Sequence, residues 1–325
     1  MKILVTGGAG YIGSHIVKLL GEKTDAQITI LDNLVTGFRD SVLYGSFIQE
    51  DLNNTAAIDK IFSENRFDAV IHLAASLVVP ESVTDPHKYY LNNTMNTAKL
   101  LSTCVKYGVK KFIFSSTAAV YGEPDASEMP VTETSPTQPI NPYGWSKLMS
   151  EQIIRDTAKA FPDFKYVILR YFNVAGSDHD GLIGQSTRNA THLIKVAVQA
   201  ALGKRDKISV FGTDYPTPDG TCVRDYIHVE DLAQAHLDAL GYLDNNPSDC
   251  FNCGYGNGYS VNEILRTVAS VSKVDFAVEM ADRRAGDPAI LVSDCSRIKE
   301  KMKWTPKYND IEFICRTALE WEKKL

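Results

Sequence analysis

The sequence lacks the features that would place a protein in a membrane, outside the cell or on a nucleic acid. No run of about 18 apolar residues could cross a bilayer, and residues 1–8 hold only a three-residue apolar run before the glycines, too short for a signal-peptide core. Basic residues number 34 against 40 acidic ones, a net charge of −6, and they are scattered, which excludes a surface that grips a phosphate backbone. We therefore expect a cytoplasmic protein with neither a membrane nor a nucleic-acid partner.

Cysteine is also scarce, with six residues, of which only Cys250 and Cys253 form a Cys-x-x-Cys pair. The pair lacks a second pair of zinc ligands and lies late in the chain, so we predict two reduced cysteines of a strand. His179 lies between Asp178 and Asp180, but a short acidic loop without further ligands is more often solvated. We therefore expect no metal site.

The composition, with 44% hydrophobic and 23% charged residues among 325, allows one large globular domain or two modest ones. Short apolar runs rich in β-branched residues alternate with stretches of helical period. This alternation predicts an α/β fold with a doubly wound parallel sheet of the Rossmann type. The predicted strands are residues 2–6, 27–31, 46–50, 69–73, 111–115 and 166–171, and the predicted helices between them are 11–22, 54–65, 86–107 and 142–160.

The alternation loosens after residue 174, so we expect residues 1–174 to form an NAD-binding Rossmann domain. Residues 175–325, with a predicted helix at 188–203, are expected to form mainly a second, smaller α/β lobe for the substrate. A further helical pattern predicts that the chain returns to the first domain over residues 221–247. Ser260 and Glu263 have the spacing of a capping box, which predicts a helix that starts at about residue 261.

Glycines follow the first predicted strand at positions 7, 10 and 13. Gly7 permits a tight turn, Gly10 lets the backbone approach a diphosphate, and Gly13 lets the next helix lie close to the sheet. Asp32 ends the second predicted strand, where a carboxylate holds ribose hydroxyls, so the segment predicts dinucleotide binding. Because a 2′-phosphate would meet the like charge of Asp32, NAD is favoured over NADP. Asp51, after the third strand, either reaches the adenine end or caps the following helix.

Tyr143 and Lys147 lie one turn apart on one face of a predicted helix. A phenol has an ordinary pKa of about 10, and we expect the ammonium of Lys147 and a positive nicotinamide ring to lower that pKa toward neutrality. The strand before this helix ends in hydroxyls, up to Thr117, at the sheet edge where doubly wound folds bind ligands. We therefore predict a catalytic centre of Tyr143, Lys147 and Thr117.

These motifs, in this order and spacing, resemble the extended short-chain dehydrogenase/reductase family over essentially the whole chain. The blocks that carry the resemblance are residues 6–13 with Asp32, residues 115–122, Tyr143 with Lys147, and, for the nucleotide-sugar branch, residues 169–173 and 220–229. Dehydratases of that branch carry Asp-Glu directly after the catalytic Thr, and decarboxylases keep the Glu, whereas this chain has Ala118 and Ala119. The resemblance therefore implies reversible 4-epimerisation of UDP-galactose and UDP-glucose through a 4-keto intermediate, with tightly bound NAD.

The resemblance also implies how the residues act. Tyr143 takes the proton of the sugar 4-hydroxyl, Thr117 hydrogen-bonds the same oxygen, and Lys147 holds the nicotinamide ribose. The hydride leaves C4 for NAD+ and returns to the other face of the keto sugar, so each turnover regenerates NAD. Further cofactor contacts are implied for residues next to the motifs, namely Tyr11, Ile12, Asn33, Leu52 and Asn92.

The resemblance places the substrate against the second lobe. Arg224 and Arg284 match two arginines that anchor the diphosphate, and Asp287 matches a carboxylate that binds the uridine ribose. The other residues matched to substrate contacts are Asn173, His192, Leu193, Phe211, Tyr226 and Leu291. Leu291 stands at the position that limits sugar size, where Leu is intermediate, so UDP-N-acetylglucosamine is predicted to be a slow substrate.

Other functions are also consistent with these motifs. The chain is alternatively a 4-epimerase of another UDP-sugar, such as a UDP-N-acetylhexosamine or a UDP-uronate, or an NAD-dependent nucleotide-sugar oxidoreductase. A non-catalytic scaffold that senses dinucleotide would be expected to have lost Tyr143 or Lys147, and both are present. The resemblance also implies a homodimer, made by the apolar faces of the predicted helices 86–107 and 142–160.

Overall fold

The computed structural model describes residues 1–188, 190–284 and 286–325. The strands are β1 Lys2–Thr6, β2 Gln27–Asp32, β3 Ser46–Gln49, β4 Ala69–His72, β5 Lys111–Thr117, β6 Lys165–Tyr171, β7 Asn173–Ala175, β8 Ile208–Phe211, β9 Val223–His228, β10 Asp249–Cys253, β11 Gly258–Ser260, β12 Val278–Ala281 and β13 Ile290–Leu291. The α-helices are α1 Tyr11–Lys23, α2 Thr55–Asn65, α3 Val79–Thr84, α4 Pro86–Tyr89, α5 Asn96–Lys106, α6 Pro142–Ala160, α7 Leu193–Ala201, α8 Val229–Asn245, α9 Val261–Ser272, α10 Ser296–Met302 and α11 Ile311–Glu322.

Seven parallel strands form the main sheet in the order β10-β6-β5-β4-β1-β2-β3. The chain first winds outward from β1 to β3 and then starts again on the other side of β1 with β4. The carboxyl ends of β1 and β4 therefore lie at the point where the winding direction reverses, which opens a crevice for a ligand. The predicted doubly wound fold is confirmed, and β10, which contains Cys250 and Cys253, adds the seventh strand.

Successive residues of the inner strands pack into separate cores on the two faces of the sheet. Ile3 and Val5 of β1 belong to the core that includes residues of α1 and α8. Leu4, between them, packs with residues of α2, α5 and α6. Such burial on both faces explains why these strands are apolar throughout rather than alternating with polar residues.

The second lobe is built on small sheets. β7, β9, β11 and β13 form a four-stranded sheet, β8 pairs with β12, and α7, α9 and α11 pack on one another. The chain goes back to the main sheet with α8, which packs against α1, and with β10, which pairs with β6. The return to the first domain was predicted over residues 221–247. In the structure β9 lies in the four-stranded sheet, and the return to the main sheet runs from Val229 to Cys253.

The prediction of one continuous helix over residues 86–107 was wrong. The structure has the short helix α4, a π-helical segment Tyr90–Met95, and then α5. α4 begins where the Asp85 carboxylate accepts a hydrogen bond from Lys88 N at 3.3 Å. The predicted helix over 188–203 is likewise shorter, since α7 covers Leu193–Ala201.

Two helix starts test the predicted caps. Ser260 Oγ accepts from Glu263 N at 3.0 Å and Glu263 Oε2 accepts from Ser260 N at 2.7 Å, so the capping box before α9 is confirmed. The cap of α2 is Asn54, whose side chain accepts from Ala57 N, and not Asp51. Among the described residues, no helix is long and apolar enough to cross a membrane.

Candidate active site

The loop between β1 and α1 is packed so closely that its glycines have no room for a side chain. A Cβ on Gly13 would lie 2.2 Å from Gly7 O, and one on Gly7, whose φ is +73°, would lie 2.7 Å from Ala74 N. Ala74 lies two residues after the end of β4, one of the two strands at whose carboxyl ends the crevice opens, so the loop lies at that crevice. The main chain of such a loop, at the N-terminus of α1, can approach a diphosphate.

Asp32 closes this loop from the end of β2. Its Oδ2 accepts a hydrogen bond from Ala9 N at 3.0 Å and its Oδ1 accepts from Leu34 N at 2.8 Å. Burial raises the pKa of this carboxyl, and the two backbone donors oppose that rise. Each oxygen keeps a lone pair for a ligand, so the carboxylate can still take ribose hydroxyls.

The other residues predicted to contact the cofactor lie after β2 and β3, on α1, and against the segment that follows β4. Asn33 Nδ2 donates to Asp51 Oδ2 at 2.8 Å, which joins the ends of β2 and β3. Tyr11 donates its hydroxyl to Gly176 O at 2.6 Å, so its ring is tied to the segment after β7. Asn92 Nδ2 donates to Ser76 Oγ at 2.9 Å, after β4. Ile12 is half-buried against the α1 core, and Leu52 is buried against α2.

Thr117, Tyr143 and Lys147 meet at the carboxyl edge of the sheet. Asn141 caps α6 by accepting from Gly144 N at 2.9 Å, which sets the first turn that carries Tyr143. Lys147 Nζ donates to Ser115 O at 2.9 Å, and the Thr117 hydroxyl lies beside the Tyr143 phenol. Tyr143 and Lys147 are only 8% and 3% exposed, so both act in a largely dry environment.

We expected Lys147 to lower the pKa of Tyr143, but in the structure Lys147 does not have this effect. Burial raises the pKa of Tyr143, and only the Thr117 hydroxyl opposes that rise. Burial lowers the pKa of Lys147 to about 7, against a smaller upward effect of Glu151. A lysine with that pKa is only partly charged at neutral pH, and its ammonium donates to Ser115 O.

Glu151 is a residue of the site that the sequence reasoning missed. It lies one turn beyond Lys147 on α6 and is fully buried. Its carboxylate accepts from Ser116 Oγ at 2.6 Å, from Arg170 Nε at 3.0 Å and Nη2 at 2.7 Å, and from Arg155 Nη2 at 3.1 Å. These bonds fix α6 to β5 and β6 directly beside the catalytic residues. The spacing of four residues from Lys147 was the available signal, but Glu at such a spacing is usually exposed.

The predicted diphosphate residues come together around one carboxylate. Arg284 donates from Nε to Asp287 Oδ2 at 2.9 Å, and Arg224 Nη2 lies 3.8 Å from Asp287 Oδ1. The Arg284 guanidinium also lies over the ring of Phe211, 5.3 Å from the ring centroid, at the distance of a cation–π contact. Two guanidinium groups at one place form a site for an anion with more than one phosphate.

Asn173, His192, Leu193 and Tyr226 line one cavity. Asn173 Nδ2 donates to Asp225 O at 3.0 Å, and His192 Nδ1 lies 2.9 Å from Gln185 Nε2. Burial lowers the pKa of His192, so its ring is neutral at pH 7. The four residues therefore form a wall with uncharged polar groups.

Leu291 of β13 and Asp225 of β9 belong to the four-stranded sheet. Leu291 is buried in one cluster with Ala118, which directly follows Thr117. Asp225, which the sequence reasoning missed, accepts from Tyr255 N at 2.9 Å and from Ser293 N at 3.2 Å. Its buried carboxylate thereby fixes β9, the strand that carries Arg224 and Tyr226, to the loops around it.

Comparisons with known proteins agree with this arrangement. The sequence model of the NAD dependent epimerase/dehydratase family matches residues 3–254. A UDP-glucose 4-epimerase of Azospirillum brasilense is 50% identical over 326 residues, which cover 100% of this chain and 92% of that protein. The solved structure of the UDP-Glc/GlcNAc 4-epimerase from Campylobacter jejuni is 52% identical, with a TM-score of 0.87 over 100% of this chain and 99% of that one. A UDP-glucose 4-epimerase from Bifidobacterium longum, solved with NAD+ and UDP, is 36% identical, with a TM-score of 0.94 over 100% of this chain and 98% of that one.

Proposed function

The chain belongs to the NAD dependent epimerase/dehydratase family, and we propose that it interconverts UDP-galactose and UDP-glucose by NAD-dependent 4-epimerisation. The observation that carries the proposal is the meeting of Thr117, Tyr143 and Lys147 at the sheet edge beside the glycine loop. The 4-epimerases among its relatives support the reaction class, and one of them binds both NAD+ and UDP.

The residues of the crevice fit a dinucleotide. Gly7 and Gly13 leave no room for side chains, which brings the main chain to the diphosphate, and Asp32 presents a carboxylate to the adenine ribose. We assign Asn33 and Asp51 to the adenine end and Asn92 to the nicotinamide half. Bound NAD+ supplies an acceptor for the C4 hydride and gives the hydride back to the other face of the sugar.

In the proposed mechanism Tyr143 Oη acts as a phenolate, which the positive nicotinamide ring of bound NAD+ would stabilise; it takes the proton of the sugar 4-hydroxyl and later returns one. The Thr117 hydroxyl, beside the phenol, holds the same sugar oxygen in place. Lys147, whose Nζ is fixed by Ser115 O, binds the nicotinamide ribose. Ala118 and Ala119, at the start of the turn after β5, provide no acid for elimination of water, so the 4-keto sugar is reduced again rather than dehydrated.

For the UDP half we propose that Arg224 and Arg284 bind the diphosphate and that Asp287, which lies between them, turns to the ribose hydroxyls. We assign Tyr226 and Phe211, whose ring lies against Arg284, to the uracil end, and we assign Asn173, His192 and Leu193, which line one cavity with Tyr226, to the wall beside the diphosphate. The UDP stays anchored while the keto sugar turns, which is what inversion at C4 requires.

The test is an assay with UDP-galactose and no added cofactor. We expect UDP-glucose to form without net NADH, because the hydride returns to the sugar. Tyr143→Phe should abolish turnover while the protein keeps its NAD. Stoichiometric NADH would instead show an oxidoreductase, and near-normal activity of Tyr143→Phe would contradict the assignment of the base.

We also propose that N-acetylated UDP-hexoses are slow substrates. The Campylobacter jejuni relative, 52% identical, is described as acting on both UDP-Glc and UDP-GlcNAc, and Leu291 in this chain lies in a small apolar cluster behind Thr117. UDP-N-acetylglucosamine at saturating concentration should be turned over measurably. No turnover would contradict this second activity without affecting the first.

Finally, we propose a homodimer in the cytoplasm. Leu91, Met95, Trp145 and Met149 are exposed on the π-helical segment and on α6, which pack side by side. The pairs are each four residues apart, so each pair lies on one helix face, and a second copy would cover them. The six free cysteines support a reducing compartment.

A further inference from the structure

A second cavity lies between α1, the loop that follows β7 and the start of α8. It is lined by His15 and Lys18 of α1, by Asp178 and His179 of the loop, and by Glu230 of α8. None of these side chains has a part in the proposed reaction. Glu230 is 51 residues from His179 in the sequence, which is why the loop alone gave no sign of a third partner.

Three potential ligand atoms converge at this cavity. His179 Nδ1 lies 2.8 Å from Glu230 Oε1 and 4.0 Å from Asp178 Oδ1, and the ligand atoms of all three residues lie within 4.8 Å of one another. Ligand atoms around a tetrahedral zinc ion are about 3.3 Å apart, which these separations bracket. One imidazole and two carboxylates form a donor set that zinc accepts, with a fourth position for water.

One buried atom at the cavity is unsatisfied, and this is independent of the spacing of the cluster. His15 Nε2 has no hydrogen-bond partner among the described residues, because only Nδ1 of that ring is used, by Tyr11 O at 2.8 Å. The completely buried Asp178 Oδ1 makes no hydrogen bond of good geometry among the described residues and has the ammonium of Lys18 3.0 Å away. Unsatisfied buried polar atoms are rare because they are costly, and a ligand at the cavity would satisfy His15 Nε2.

The charge around the cavity favours a cation. Lys18 Nζ lies 3.0 Å from Asp178 Oδ1, 3.1 Å from Glu22 and 3.7 Å from Asp180, and Glu230 adds a fourth carboxylate. Lys18 competes with a metal ion for Asp178, but it retains Glu22 as a partner when that oxygen binds a metal. Lys23 and Lys307 also line the cavity but are exposed to solvent.

We propose that Asp178, His179 and Glu230 bind one divalent metal ion of the zinc class. Such an ion joins the loop after β7 to the start of α8, beside α1. The site is separate from the proposed epimerisation and does not depend on it.

The test is calorimetric titration of ZnCl2 into the intact holoenzyme after EDTA treatment and removal of the chelator. We expect one zinc per chain in the wild type. His179→Ala should weaken binding at least about tenfold, in line with the loss of a metal contact, and folding should tolerate it because the His179 side chain is 47% exposed. The matched control is His87→Ala, which removes another exposed histidine and should leave the affinity unchanged.

Lys18→Gln tests the same site in the opposite direction. Removal of the competing ammonium should strengthen zinc binding, because Asp178 Oδ1 is then held by no cation. The proposal is overturned if the wild type takes up no zinc, or if His179→Ala binds it as tightly as the wild type, which would place the ion on cysteines or elsewhere. An unchanged or weaker affinity in a folded Lys18→Gln variant would contradict the ligand role of Asp178.

Discussion

Lys147 illustrates how burial changes the chemistry of a single residue. Its pKa is lowered from the ordinary lysine value to about 7 because the ammonium is removed from water. Below pH 7 the folded and unfolded chains both bind the proton, and the unfavourable burial of the charge is fully present. As the pH rises above 7 the folded chain loses the proton first, so the penalty disappears between pH 7 and the ordinary lysine pKa of about 10.4.

The stability of Lys147→Met should therefore depend on pH relative to the wild type. In nucleotide-depleted protein we expect the variant to be more stable than the wild type at pH 6, with an advantage that shrinks by pH 9. The measurement is the midpoint of thermal unfolding at both values. Lys159→Met, at an exposed position near the end of the same helix, is the control and should show no such trend. A constant difference for Lys147→Met would mean that Lys147 titrates normally.

Leu291 is the residue at which sugar size can be tested. It is buried in one cluster with Ala118, the residue after Thr117, and under our proposal a Tyr there would extend into the space of a substituent on the sugar. Leu291→Tyr should lower kcat/KM for UDP-N-acetylglucosamine by more than tenfold relative to UDP-glucose, roughly the effect of a lost apolar pocket contact. Leu291→Met is the volume-matched control. Parallel losses with both sugars would show that Leu291 does not select for size.

At the scale of elements, the junction of α6 with β5 and β6 depends on the buried pair of Glu151 and Arg170. Glu151→Ala leaves the guanidinium buried without its partner and should lower the free energy of unfolding by about 3–5 kcal/mol. The measurement is urea unfolding. Because an apolar pair of similar size is often tolerated, the double variant Glu151→Met with Arg170→Leu should recover a large part of this loss. A loss below about 1 kcal/mol for Glu151→Ala would mean that the pair is not essential to the junction.

At the scale of the whole molecule, the net charge of −6 conceals a cationic site. Arg224 and Arg284 meet at Asp287, so two guanidinium groups lie together at one place. A small diphosphate can therefore bind to a protein whose overall charge repels polyanions.

The assembly of the whole molecule can be tested on α6. Met149→Glu places a charge in the apolar patch that we propose a second copy covers, and it should convert a dimer to a monomer. Light scattering after size-exclusion chromatography measures the mass. Met280→Glu, at an exposed methionine of β12 away from this patch, should leave the mass unchanged. A monomeric wild type at micromolar concentration would rule out the dimer.

Features that depend on short distances along the chain could be predicted from the amino-acid sequence. The spacing of Gly7 and Gly13 follows from a turn that admits no side chain, and Tyr143 and Lys147 share a face because an α-helix repeats every 3.6 residues. The strands of the main sheet were predictable for the same reason, since burial on both faces requires apolar runs. Helix ends were less predictable, because Asp51 and Asn54 both have the chemistry of a cap and only the turn geometry selects Asn54.

Which distant residues meet, and how burial changes their chemistry, depends on the packing of separate segments in the folded chain. Glu151 pairs with Arg170, Arg224 lies close to Asp287, and His179 lies close to Glu230. No local sequence pattern relates the members of these pairs. The same is true of the pKa of Lys147, which depends on how much water the packed helix and sheet exclude. Local backbone geometry depends on neighbouring residues, whereas contacts between distant residues and their removal from water arise only when separate segments pack together.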